Sequence, residues 1–163
     1  MSSSDRRLFL LSGLAALAGC GFAPAYAPGG GGAALMGRIE IAPPDTRAGF
    51  LLTQELEGRL GRPADARYVL TPAISLQKRS ISIDRSNVTL RFNLLGRVDY
   101  VVLDRQTDAV VTRGTVENFT GYSTFDTPVA TQAAERDAEA RLMTMLADQL
   151  LTRLAATART LPE

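Results

Sequence analysis

"VTLRFNLLGRVDYVVLD", residues 88 to 104, decides the fold. Val88, Leu90, Phe92, Leu94, Val98, Tyr100 and Val102 recur at every second position, broken only by Gly96, while Arg91, Arg97 and Asp99 fall between them. A period of two belongs to a half-buried strand, because successive side chains leave a strand on opposite faces. The preceding stretch "RYVLTPAISLQK", residues 67 to 78, repeats the pattern with Tyr68, Leu70, Ile74 and Leu76. Turn-forming "DRSN" at 84 to 87 and "DRQTD" at 104 to 108 separate the runs, so three strands are predicted to meander over 67 to 83, 88 to 103 and 109 to 122. Ile81 and Ile83 stand on odd positions, so the first of these strands either shifts face through a bulge or projects its tip beyond the sheet.

On the N-terminal side, "RIEIA" at 38 to 42 alternates weakly and stops at Pro43-Pro44, which predicts a short strand. Asp45 or Thr46 can then cap a helix carrying Ala48, Leu52, Leu56 and Leu60, ended by Gly61 and Pro63. On the C-terminal side, Thr127 is a capping residue and Pro128 suits a first helical position. The helix so opened is expected to run to about Arg159, with Ala133, Ala140, Met143, Ala147, Leu150 and Leu154 along its apolar face. Tyr122 and Phe125, just before it, are expected to pack its beginning against the sheet. The order of strand, helix, three strands and helix predicts a two-layer α+β sandwich: a small, mostly antiparallel four-stranded sheet with two helices on one face, forming a single domain over 38–163.

Composition narrows the chemistry. The chain has 163 residues, 45% hydrophobic, with 18 basic and 17 acidic side chains, so no global field argues for nucleic acid. It has no His and one Cys, which removes the commonest general base and any Cys/His set for zinc. Phosphate-loop, HExxH and nucleophile-elbow patterns are missing as well, so neither an enzyme, a metal site nor a cofactor is expected. Glu55 with Glu57, and Asp137 with Glu139, stand two apart on helices, point in different directions, and read as solvated surface.

Arg6 and Arg7 precede an apolar stretch from Leu8 to Ala18, the form of a secretory signal too short to span a bilayer permanently. Leu17-Ala18-Gly19-Cys20 matches the lipobox of bacterial lipoproteins, which assigns the single thiol a diacylglycerol and an N-acyl chain. Residues 1–19 are then a cleaved signal peptide, exported by the general secretory or the twin-arginine route. Two or three acyl chains give durable membrane attachment where one would not. Gly21, rather than Asp, follows the acylated Cys, favouring the outer membrane. Residues 20–37, with four consecutive glycines, are read as a flexible tether with a contour of about 55–60 Å.

With the even positions turned to the helices, Arg67, Gln77, Arg79, Arg91, Arg97 and Arg113 share the other face with Asp99 and Glu117, and Lys78 and Arg85 lie toward the hairpin tip. Two readings fit. Guanidinium forks match phosphate, so this face can bind a phosphorylated glycolipid; equally, it is a solvated sheet face closed by ion pairs to Asp99 and Glu117.

Taken together, Leu17-Ala18-Gly19-Cys20 with Gly21-Phe22 and Pro24, the order of elements, and the C-terminal spacing of Tyr122, Ala134, Asp137, Arg141, Leu146, Ala147 and Leu154 make the chain similar to the LPS-assembly lipoprotein family (LptE), in its alphaproteobacterial branch. The resemblance implies a non-enzymatic outer-membrane lipoprotein that sits as a plug within a large β-barrel, the LPS translocon, assists its assembly and contacts lipopolysaccharide. It implies LPS contact at Arg85 in the hairpin loop, with Lys78 and Arg79 nearby and Arg91 on the adjoining strand; the family's second basic position, at the start of the last helix, is matched only loosely by Arg136. The alternative reading is an auxiliary lipoprotein of an ABC-type lipid transport system, or a cell-wall synthase activator.

Overall fold

The computed structural model describes residues 37–83 and 89–158, and Cys20 and Arg85 lie outside them. Four strands and two helices follow in the expected order: β1 (Ile39–Ile41), α1 (Arg47–Leu60), β2 (Tyr68–Ile83), β3 (Thr89–Asp104), β4 (Val110–Ser123) and α2 (Pro128–Ala158). The sheet order is β1-β2-β3-β4, with β1 parallel to β2 and the rest antiparallel. It is therefore an α+β fold with a mixed four-stranded sheet.

Local chemistry explains the boundaries. Thr46, not Asp45, caps α1: its backbone is extended and its Oγ1 accepts from Gly49 N at 3.1 Å. Gly61 ends that helix with φ +81°, and its N–H donates to the Glu57 carbonyl. The β3–β4 turn closes through Asp104, whose carboxylate accepts from Gln106 N at 2.8 Å and from Arg67 Nε at 3.2 Å. Register shifts between Ser80 and Ile83 form the expected bulge, and leave Ile81 53% exposed.

The even residues do face the helices. Tyr68, Leu70, Leu94, Val98, Tyr100, Val102 and Val116 are buried against Leu52 and Leu56 of α1 and Leu142, Met143, Leu146 and Leu150 of α2. The buried seam of α2 is Ala138, Leu142, Met143, Leu146, Ala147, Leu150, Leu151 and Leu154, continuing to Ala158. Ala133, expected on that seam, is exposed, and Ala140 is only half-buried. So many alanines surround this helix that the sequence has little contrast between its faces. Tyr122 is buried as expected, but Phe125 is 58% exposed and does not pack the start of α2.

Gly96 sets how closely α2 approaches. A Cβ placed there would stand 2.8 Å from Leu146 Cδ1 and 3.0 Å from Leu142 Cδ2, and both leucines are fully buried. The absence of a side chain in the middle of β3 is what lets two leucines sit directly on the strand backbone. Ion pairs tie the helices: Arg47 Nε lies 3.2 Å from Glu139 Oε2, and Arg59 pairs with Asp148. Each carboxylate read as solvated helix surface is in fact paired with arginine: Glu55 with Arg59, Glu57 with Arg62, and Asp137 with Arg141, beside the Arg47–Glu139 bridge.

Two outcomes are expected in unfolding experiments. Leu146→Ala removes a fully buried side chain at the centre of this contact and should lose about 2–5 kcal/mol in denaturant melts, and Gly96→Val should lose about 1–3 kcal/mol by overpacking the same place. The second outcome concerns acid. The Gln106 backbone N–H, and then Arg67, hold the Asp104 carboxyl below its ordinary 3.8, so its contribution is present above that value and lost as pH falls through the lower folded value. Melts taken from about pH 5 down to about pH 3 should show a shallower loss of stability for Asp104→Asn than for the parent chain.

Candidate functional site: the uncovered face of the sheet

Because the even residues are spent on the helices, alternation sends the odd ones outward, and among the described residues no element covers that face. Its three regions differ in chemistry. Near the β3–β4 turn, Thr71, Ala73, Val101 and Leu103 line a shallow depression with Arg113. At the centre, Arg97 donates to Asp99 from Nε at 2.9 Å and from Nη2 at 2.8 Å, and reaches Glu117 Oε1 from Nη1 at 2.7 Å, while Thr115 Oγ1 donates to Asp99. Arg97 and then Thr115 hold the Asp99 carboxyl low, and Asp99 first, then Glu117, raise the guanidinium. This cluster is electrically satisfied within itself.

Toward the β2–β3 hairpin end, a second depression is lined by Ser75, Gln77, Arg79, Leu95, Arg97 and Phe119, with Phe119 61% exposed. Arg79 is held by Gln77 Oε1 at 3.1 Å, a neutral partner, and has no carboxylate partner among the described residues. Arg91 emerges on the same face one residue before Phe92, opposite Ser123 of β4, and is exposed with no ion-pair partner among the described residues. The face therefore runs from a largely apolar region edged by Arg113 near the turn, through a compensated centre, to a cationic hairpin end.

Lys78, the chain's only lysine, is not part of that surface. It pairs in register with Leu94 and so points to the helix side, where its Nζ lies 3.1 Å from both carboxylate oxygens of Glu135 on α2. The ammonium also stands 4.4 Å from the Phe92 ring centre and 5.3 Å from that of Tyr122, two rings stacked 5.6 Å apart. The nearby Tyr122 hydroxyl, and then Glu135, raise its pKa, while burial raises that of Tyr122. The residues grouped in the sequence as one basic cluster thus divide: Arg79 and Arg91 share the outer face, Lys78 joins the sheet to α2, and Arg85 lies outside the described residues. Leu95 and Phe119 were missed as site residues; their odd positions, shared with Arg97 and Glu117, are the signal that places them on the outer face.

Among the described residues no group of three acidic, Cys or His side chains is placed to hold a metal ion, and no helix is long and apolar enough to cross a membrane.

Comparison with known proteins agrees with this architecture. A crystal structure of a Caulobacter crescentus protein described as a lipoprotein superposes with TM-score 0.66 at 30% identity, over 82% of this chain and 98% of that one. The rare lipoprotein B of Shewanella oneidensis gives TM-score 0.58 at 17% identity, over 76% of this chain and 96% of that one. Lipoprotein B of Nitrosomonas europaea gives 0.57 at 17% identity, over 76% and 85%; at such identity these two share the fold alone. No curated protein matches the chain at the sequence level. The LptE family, described as lipopolysaccharide-assembly, matches residues 36–154, from the residue before the described fold through most of α2. Sequence, element order and fold converge: the chain belongs to the LptE lipopolysaccharide-assembly family.

Proposed function

We propose that this protein is a non-enzymatic outer-membrane lipoprotein, acylated at Cys20, that serves as plug and assembly partner of the LPS-translocon β-barrel and contacts lipopolysaccharide on its way to the outer leaflet. The observation that carries the reading is the uncovered sheet face, whose hairpin end presents Arg79 and Arg91 without carboxylate partners among the described residues. A plug in a hydrated lumen must present polar surface to it, and the compensated Arg97–Asp99–Glu117 centre supplies such a surface with little net charge. Phosphate groups on the glycolipid would be met by the forks of Arg79 and Arg91, and its apolar portions by Leu95 and the exposed Phe119 beside them. Arg85, which lies outside the described residues, is assigned to the same glycolipid contact. Lys78 has a supporting role in this reading, holding the strands that carry Arg79 and Arg91 against α2 through Glu135.

Two experiments test the proposal. Binding of the mature lipoprotein to fluorescently labelled LPS should weaken roughly tenfold for each of Arg79→Ser and Arg91→Ser, the scale of one charge-assisted hydrogen bond, while Lys78→Met stays within about twofold of the parent. Unchanged affinity in the two arginine variants rejects the assigned surface. Affinity purification from the native outer membrane should recover a large β-barrel, with mass spectrometry showing a triacylated Cys20 as the first residue; an unmodified Cys20, or recovery with an inner-membrane transporter or a cell-wall synthase instead, rejects the assignment.

A further inference from the structure

The ladder between β1 and β2 stops where neither chain segment has a donor left to offer. Tyr68 N donates to the Arg38 carbonyl at 3.0 Å and Ala42 N to the Leu70 carbonyl at 2.9 Å, so the even residues of β2 turn their N–H and C=O groups toward the β1 side. The next two rungs would run from residue 72 to the Ala42 carbonyl and from residue 44 to the Pro72 carbonyl. Both donors are replaced by prolines, Pro72 and Pro44, which have no N–H. Pro43-Pro44 then leads away into α1, and the Ile74 N–H is left facing the place that a longer β1 would fill.

A cavity of about 440 Å³ opens at that place, lined by Pro43 and Pro44, by Thr71, Pro72 and Ile74 of β2, and by Thr53 of α1. Thr53 is only 8% exposed, yet its hydroxyl has no hydrogen-bond partner among the described residues. Thr144, Thr152 and Thr157 of α2 each donate to the carbonyl four residues back, the usual recourse of a helical threonine; Thr53 does not. A buried hydroxyl left unpaired is costly unless a ligand meets it. The chemistry of the cavity selects its occupant. It offers the Ala42 and Pro72 carbonyls, the Thr53 oxygen and the carboxylate of Asp45, which has no ion-pair partner among the described residues and is not needed as a cap, since Thr46 serves α1. No basic residue lines it. Acceptors gathered around one carboxylate suit an extended segment that brings main-chain N–H groups to the Pro72 edge and a Lys or Arg side chain to Asp45.

We infer that the cavity at the end of β1 is a docking slot for an extended, Lys- or Arg-bearing segment of the barrel partner, which continues the sheet where β1 leaves it and hydrogen-bonds to the Thr53 hydroxyl. The inference rests on the plug reading and uses a different surface from the glycolipid contact: none of Arg79, Arg91, Leu95 and Phe119 lines the slot.

The test sets the parent lipoprotein against a variant, each with its own affinity tag, co-expressed at equal levels, and reads their ratio in the barrel-bound fraction of the native outer membrane. Thr53→Val keeps the shape of the side chain and deletes the hydroxyl. Loss of an unpaired buried hydroxyl should leave the denaturant midpoint of the free lipoprotein unchanged or raised, whereas the parent should outcompete this variant for the barrel about fivefold, the scale of one hydrogen bond. A merely structural hydroxyl would instead lower the midpoint. Asp45→Asn should be outcompeted by a similar factor, about three- to fivefold. A photo-crosslinking residue in place of Ala73, which also lines the slot, should form an adduct with a Lys- or Arg-bearing segment of the barrel. A lowered midpoint for Thr53→Val, equal occupancy by the parent and both variants, or adducts from position 73 to this chain alone while the barrel is still recovered overturns the slot and leaves the plug reading standing. Recovery of no barrel with the parent rejects the plug reading, and the slot with it.

Discussion

The structure depends on the contact between Leu142 and Leu146 of α2 and the backbone of β3 at Gly96. A strand ordinarily keeps a helix at a distance set by its side chains; here one position carries none, and two fully buried leucines occupy the space. Once that contact is made, the rest of the assignment of faces is forced. Gly96 lies on the same face as Leu94, Val98 and Tyr100, so these residues go inward under the helices. Arg97 and Asp99 must then go outward, together with their partners Thr115 and Glu117 across the β3–β4 ladder. The core and the functional face are two consequences of one register.

This coupling explains why so much was legible in the sequence. Strand period, turn residues, the Thr46 cap and the Gly61 stop are local signals, and each falls within a residue or two of its structural counterpart. The bulge was legible because Ile81 and Ile83 break the parity of the strand they occupy. The buried stripe of α2 was less so: alanine occurs on several of its faces, and burial is decided by where the sheet lies beneath the helix, which no local pattern encodes. Ala133 belongs to a part of the helix that no described residue covers.

Lys78 shows a different limit. Its even position placed it with the inward residues, yet its chemistry argued for solvent and for company with Arg79. The structure satisfies both demands, since a long aliphatic stem can cross two aromatic rings and still deliver its charge to Glu135 at the margin of the sheet. A side chain 57 residues away in the sequence supplies the compensating carboxylate, so a reading confined to neighbours along the chain had no means of finding it. Leu95 and Phe119 were obscured by the opposite error, the habit of reserving apolar residues for the core. Their position among Arg79, Gln77 and Arg97 gives the outer face the mixed polar and apolar character that an amphiphile requires.

The distribution of charge along that face also bears on orientation. Gly37, where the described chain begins, donates to the Leu60 carbonyl at the end of the molecule from which β1 and β2 start, while the cationic end lies toward the β2–β3 hairpin. A strand of 16 residues such as β2 rises by about 53 Å over its length. The contour available to residues 20–37 is of the same order, about 55–60 Å. If Cys20 is the anchor, an upright domain holds Arg79 and Arg91 far from the bilayer that anchors it, facing glycolipid that approaches through the periplasm. Bringing those arginines to the membrane surface means either laying the domain along it, with Gly37 at the surface as well and little of that contour used, or inverting it on the fully extended contour. The compensated centre suits the first arrangement, since Arg97, already joined to Asp99 and Glu117, offers a passing phosphate no free charge and leaves capture to the hairpin end.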